Sequence, residues 1–181
     1  NLLPQFQQKR HFDYNQATHG MRLILWGLFK KIVVADNCGI YVDTIWNDIS
    51  SQNASSLAFA AILFSFQIYG DFSGYSDIAI GSAKLFGIQL RENFRTPFFS
   101  RNIAELWRRW HISLSSFFKD YVYIPLGGNR VSKKRLIINL LVVWGLTGLW
   151  HGSSWNYVIW GLFFFVFIVL ENIKRDRCWG D

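Results

Sequence analysis

Metal and disulfide chemistry are the first things this sequence lacks. Its 181 residues hold two cysteines, Cys38 and Cys178, with neither the paired spacing of a zinc site nor the count of a disulfide framework. The four histidines form no H-x-x-x-H string and have no carboxylate at ligand spacing, so no metal site is predicted. A G-x-S-x-G elbow and a Gly-rich phosphate loop are absent as well, so neither a nucleophile elbow nor a P-loop is available. Charge is scarce, with Asp, Glu, Lys and Arg making up 17% of the chain against a net charge of +7. The basic residues cluster beside apolar runs and not on one solvated face. That pattern fits loops lying at anionic lipid and argues against a nucleic-acid partner. No initiator Met and no signal-peptide pattern stand at residue 1, and the chain reads as a fragment of a longer polytopic protein.

The longest absence is of charge itself. Between Arg135 and Glu171, 35 residues (136–170) carry no Asp, Glu, Lys or Arg, and His151 is their one ionisable side chain besides Tyr157. As a single helix this run would measure about 52 Å, against a hydrocarbon core of about 30 Å. It therefore has to break. The break is predicted near 150–155, where Trp150-His151-Gly152-Ser153-Ser154 interrupts the apolar pattern, giving a helical hairpin over 136–172. What is abundant instead is aromatic: nine Trp, 17 Phe and seven Tyr, 18% of the chain, a usage suited to membrane interfaces.

Along the chain, residues 1–20 read as a polar lead-in, a loop or a surface helix. Met21 to Ala35 is apolar but interrupted by Lys30 and Lys31, which predicts an interfacial or tilted helix. Residues 50–56 form a polar linker. The apolar helix after it, from Leu57 to Gly70, is long enough to span when the charge-free stretch from Ile49 is included. Asp71 and Asp77 then flank a glycine between two apolar segments, which predicts a broken helix or a polar crevice inside protein. Ser100 or Asn102 is placed to cap the next helix, with Glu105 three residues after Asn102. Apolar positions at helical spacing from Ile103 to Tyr123 predict an amphipathic interfacial helix over 103–123, ended by Pro125 and Gly127-Gly128. Two basic clusters follow, Arg130, Lys133, Lys134 and Arg135, then Lys174, Arg175 and Arg177, and the positive-inside rule puts both in the cytoplasm. His151 lies 16 residues from Arg135, about 24 Å of helix, which places it deep in the membrane towards the far side.

His11 and His19 lie in the polar lead-in and read as solvated. His111 shares a helix face with Trp107 and Leu114, where a lone histidine is either a hydrogen-bonded packing residue or a catalyst. His151 differs, because a titratable group at membrane depth is costly and marks a functional site. A neutral imidazole in a water-poor site acts as a general base, taking a proton from a hydroxyl as that oxygen attacks an activated carbonyl. No serine, cysteine or lysine pattern points to a covalent intermediate. Asp71 and Asp77 are either a carboxylate pair or each tied to an arginine or a helix terminus. Gly127-Gly128-Asn129 either cradles an anion or makes a simple turn.

Four strings carry a resemblance. W-R-R-W-H-I-S-L-S-S-F-F-K-D-Y-V-Y-I-P-L-G-G-N-R (107–130) and G-L-W-H-G-S-S-W-N-Y-V-I-W-G (148–161) are the leading pair. With G-L-F-K-K-I-V-V-A-D-N (27–37) and F-Q-I-Y-G-D-F-S-G-Y-S-D-I-A-I-G (66–81), they resemble the membrane-bound O-acyltransferase (MBOAT) family, above all its bacterial alginate O-acetyltransferase-like branch. The fold this implies is all-α, with polytopic transmembrane helices, interfacial amphipathic helices and broken intramembrane segments. Residues 1–181 would be a partial domain lacking amino-terminal helices, inactive alone. The resemblance implies a multi-pass protein of the bacterial inner membrane. It would transfer an acyl group, typically acetyl, from a cytoplasmic donor to hydroxyls of an extracytoplasmic polysaccharide. It assigns the catalytic role to His151 and makes His111 a second active-site histidine. Arg108, Arg109, Asp71 and Asn156 are the candidate substrate-binding residues, the two arginines for an anionic donor. No cofactor is expected to be bound. The donor is acetyl-CoA or another acetyl carrier, and the partners are the lipid bilayer, the polysaccharide and periplasmic or membrane acetylation proteins. The rival reading is a non-catalytic transport or scaffold subunit of polysaccharide export or modification, with Asp71, Asp77 and His151 lining a path.

Overall fold

Long helices with satisfied ends organise each half of the chain. The computed structural model describes residues 3–7, 9 and 11–178, with side chains to Ile173, and among these the structure is all-α. It divides into two units, 1–92 and 93–181.

The first unit opens with α1 (Leu3–Gln7), tied by Gln5 Nε2 to the Gln89 carbonyl (3.1 Å) and by the Gln89 amide to Gln5 Oε1 (2.8 Å). Asp13 starts α2 (Tyr14–Leu28), its Oδ1 accepting from the Asn15 and Gln16 amides at 2.8 and 3.2 Å. The last part of the polar lead-in is thus already helical. From Phe29 to Ala35 the helix widens into a π-helical segment, then continues as α3 (Asp36–Trp46). Widening the helix changes its hydrogen-bond register, and here Asn37 Nδ2 donates to the Val33 carbonyl at 2.8 Å and the Ile32 carbonyl at 3.3 Å. Asn53 caps α4 (Ala54–Leu85), which packs antiparallel to α2 and α3 and is long and apolar enough to cross a membrane.

Of the two alternatives expected at 71–77, a broken helix or a polar crevice, the break is not there: α4 is continuous through it. Charges are accommodated by pairing instead. Lys31 Nζ meets Asp71 at 2.6 Å and Asp36 at 2.9 Å, and Lys30 Nζ meets Asp77 at 2.8 Å. Close helix approach makes this possible. A Cβ built on Gly74 would lie 2.7 Å from the Gly27 carbonyl oxygen, and one on Gly81 would lie 2.5 Å from that of Gly20. Both glycine pairs repeat at seven residues, two helical turns, so α2 and α4 come into backbone contact along one face at each pair.

In the second unit a turn of 3₁₀ helix (Pro97–Phe99) leads to α5 (Ile103–Arg109), capped by Asn102 Oδ1, which accepts from the Glu105 amide at 2.8 Å. Then comes α6 (Ile112–Phe118), followed by a π-helical turn (Lys119–Tyr123). The single amphipathic helix predicted over 103–123 is therefore two short helices. Trp110 is extended, and His111 sits in the left-handed region at φ 43°. The cause is tertiary: the Arg95 amide donates to the Arg109 carbonyl and the Ile112 amide to the Asn93 carbonyl, both at 2.9 Å. Two helical bonds are exchanged for two bonds to the preceding segment, so the joint leaves those backbone groups paired, and the left-handed residue itself costs about 1–2 kcal/mol.

Gly127 and Gly128 adopt φ of 101° and 56°, and their amides donate to the Ile124 and Tyr123 carbonyls. This is a turn, with those N–H groups already used and none aimed at an anion. Ser132 caps α7 (Lys133–His151), and α8 (Trp155–Cys178) returns antiparallel after a turn at 152–154. Tight packing recurs here, since a Cβ on Gly148 or Gly161 would stand 2.5 Å from a carbonyl of the facing helix. Of α8, Trp155–Ile173 is long and apolar enough to cross a membrane. The side chains of Lys174, Arg175, Arg177 and Cys178 lie outside the described residues.

Candidate active site

His151 is the last residue of α7, held where the helix stops at Gly152. Its Nδ1 lies 2.7 Å from the Thr147 carbonyl, one turn back. A carbonyl oxygen only accepts, so Nδ1 carries the hydrogen and, in the neutral ring, Nε2 carries the lone pair. The ring is wedged among aromatics, its centroid 4.6 Å from Trp160 and 5.0 Å from Trp150. Rigid neighbours and a fixed tautomer are what a general base needs.

The broken joint between α5 and α6 brings His111 to the same place. Its ring meets Trp150 edge-on at 5.5 Å, so the two histidines flank one indole. Burial, and secondarily the charge of His151, push the His111 imidazole down to about 4. The α5 helix is seated by Trp107, whose ring lies 4.9–5.5 Å from those of Trp144, Trp160 and Phe164. At its carboxyl end the Ser115 hydroxyl donates to the Trp107 carbonyl at 3.2 Å.

Beside these helices is a half-open cavity of about 420 Å³, with His111, Arg108, Lys119, Tyr123 and Thr147 in its lining. Most of its wall is apolar, with the cationic groups of Arg108 and Lys119 among few polar ones. The other candidate residues are placed differently. Arg109 is committed to structure, with Nη2 2.6 Å from Glu105 and Nη1 donating to Thr96 Oγ1 at 3.2 Å. Asn156 is exposed in the first turn of α8. Asp71 belongs to the first unit, where Lys31 holds it. Among the described residues, no three His, Cys, Asp or Glu side chains gather as a metal site would require.

Residues 3–177 match the family of membrane-bound O-acyltransferases. The chain belongs to the MBOAT family. Among curated relatives, a peptidoglycan O-acetyltransferase of Helicobacter pylori is 43% identical over 163 residues, 89% of this chain and 31% of that protein. A probable alginate O-acetylase of Azotobacter vinelandii is 37% identical, covering 97% of this chain and 35% of its own length. A teichoic acid D-alanyltransferase of Streptococcus thermophilus is 38% identical, covering 90% of this chain and 44% of its own length. The chain thus spans about a third of the length of the first two relatives.

Three residues of this MBOAT chain that shape the site were not singled out from sequence. Asn139 is fully buried in α7, and its Nδ2 donates to the Leu126 and Gly128 carbonyls at 3.0 and 3.3 Å, pinning the glycine turn. Its signal was available, an amide inside an apolar helix. Thr147 orients His151 through a backbone carbonyl, which no side-chain pattern records. Glu171 accepts hydrogen bonds from the first amides of α5, a contact across nearly 70 residues that no local pattern encodes.

Proposed function

We propose that this chain carries the transfer centre of a bacterial inner-membrane O-acetyltransferase, with His151 as general base and a polysaccharide hydroxyl as acceptor. The observation that carries the reading is the 2.7 Å contact of His151 Nδ1 with the Thr147 carbonyl, which leaves Nε2 as the basic nitrogen. For a thioester donor such as acetyl-CoA, Nε2 takes the hydroxyl proton as the acceptor oxygen bonds the acyl carbon. The tetrahedral intermediate then collapses, the carbon–sulfur bond breaks, and the imidazolium returns the proton to the departing sulfur. His111 borders the cavity as the second histidine of the site, and Arg108 in the same lining attracts an anionic donor.

Arg109 and Asp71, each engaged in ion pairs, take scaffold roles in this reading, and Asn156 is the proposed glycan contact at the mouth of the α7–α8 turn. The Helicobacter and Azotobacter relatives are named for peptidoglycan and alginate, which supports a wall or matrix polysaccharide as the acceptor class. Periplasmic or membrane acetylation proteins would complete such a system. The test is ester-linked acetyl on the polysaccharide of cells carrying the full-length protein with His151→Ala. A fall of roughly 10²–10⁴-fold is expected for loss of a general base, and wild-type acetylation would overturn the assignment.

A further inference from the structure

We propose that Glu171, the residue closing the charge-free run, is a positioning residue that holds α5 so that His111 is presented to the cavity. This rests on the acyl-transfer reading above. Glu171 Oε1 accepts from the Ile103 amide at 2.8 Å and Oε2 from the Ala104 amide at 3.0 Å. Both oxygens of one side chain of α8 are thus used on the first two amides of α5. A helix of seven residues is too short to persist alone, and its leading amides have no partner within it. Asn102 satisfies the third amide, so the amino end of α5 is held by one local cap and one remote clamp.

The consequence reaches the site because α5 is a short rigid lever of about 10 Å. Arg108 lies near its end, and His111 follows at the left-handed joint. Trp107, in the aromatic cluster, acts as the pivot. A slip at the clamped end rotates or translates the histidine at the other. No other Asp or Glu occurs between Asp120 and Asp176, so this stretch holds no second carboxylate to substitute for it.

The experiment uses the full-length protein in steady-state acetyl transfer, with folding checked by thermal unfolding. Glu171→Ala is expected to lower kcat roughly ten- to a hundredfold, the scale of a small misplacement of a catalytic group, with KM for the acceptor little changed. Glu171→Gln keeps one carbonyl acceptor and is expected to recover most of that loss. In a His111→Ala background, adding Glu171→Ala should slow the enzyme no further, because the clamp acts through the missing imidazole. Asn102→Ala, which removes the other cap of α5, should behave in the same way and serves if Glu171→Ala does not fold. Wild-type kcat in Glu171→Ala, or losses that multiply in the double variant, would overturn the clamp while leaving the histidine assignment intact. Full activity in both His151→Ala and His111→Ala would instead remove the transfer centre and the clamp with it.

Discussion

Two imidazoles share one indole yet are constrained by different parts of the chain. His151 is oriented by its own helix, through a carbonyl four residues back, while His111 is oriented by a broken joint and by the strand of chain at 93–95. The second arrangement has a measurable consequence. His111 lies outside both helices that are long and apolar enough to cross a membrane, and burial pushes its imidazole down from the ordinary 6.5 to about 4. Between those values the unfolded chain binds a proton that the folded chain does not, so stability rises with pH across the window and is lost as pH falls from 6.5 towards 4. Melting temperatures of the detergent-solubilised full-length protein should therefore drop over that range. His111→Gln should lack this component of the drop. An identical pH dependence in the variant would contradict the buried, uncharged state. The histidine pair was visible in the sequence as two candidates. Their adjacency was not, because it depends on the left-handed turn at His111, which helical spacing alone argued against.

At the scale of elements, glycine decides where helices meet. Gly27 and Gly74 bring α2 and α4 into backbone contact, whereas Gly145 on α7 has nothing within 4 Å of where a Cβ would stand. Gly74→Ala forces a methyl against a carbonyl oxygen that cannot swing away, an overpacking cost of about 1–3 kcal/mol. Gly145→Ala only exchanges a poor helix former for the best one, a gain of up to about 1 kcal/mol. Thermal unfolding should separate the two, with Gly74→Ala melting lower than wild type and Gly145→Ala equal or higher. Equal destabilisation by both would mean that the close approach is not what the glycines provide. The same contact explains the unbroken α4. Charge at 71 and 77 looked like a helix break because no partner was visible in sequence, and Lys30 and Lys31 become partners only once the glycine face docks.

Each unit of the molecule repeats one device, an antiparallel pair of long helices joined by a short turn and drawn together at small residues. In the second unit the basic residues Arg130, Lys133, Lys134 and Arg135 stand at the open end of the pair, opposite the turn at 152–154. The positive-inside rule assigns that end to the cytoplasm. In an otherwise cysteine-free full-length protein, Asn129→Cys, exposed in the loop before α7, should react with a membrane-impermeant maleimide only after the cytoplasmic face is opened. Labelling in intact cells would invert the topology and place His151 nearer the cytoplasm.

The linear sequence by itself determined the apolar lengths, the polar linker before α4 and a helix cap at Ser100 or Asn102. All of these follow from composition, periodicity and residues within a few positions of one another. The limit of a charge-free run against bilayer thickness required a turn inside 136–170 with no reference to any distant residue. Only the tertiary structure decided what depends on partners far away in the chain. Lysines neutralise Asp71 and Asp77 and keep α4 whole, the segment at 93–95 splits the 103–123 helix, and Glu171 caps a helix 68 positions earlier. Local pattern reports which backbone groups and charges need partners, and packing alone supplies them.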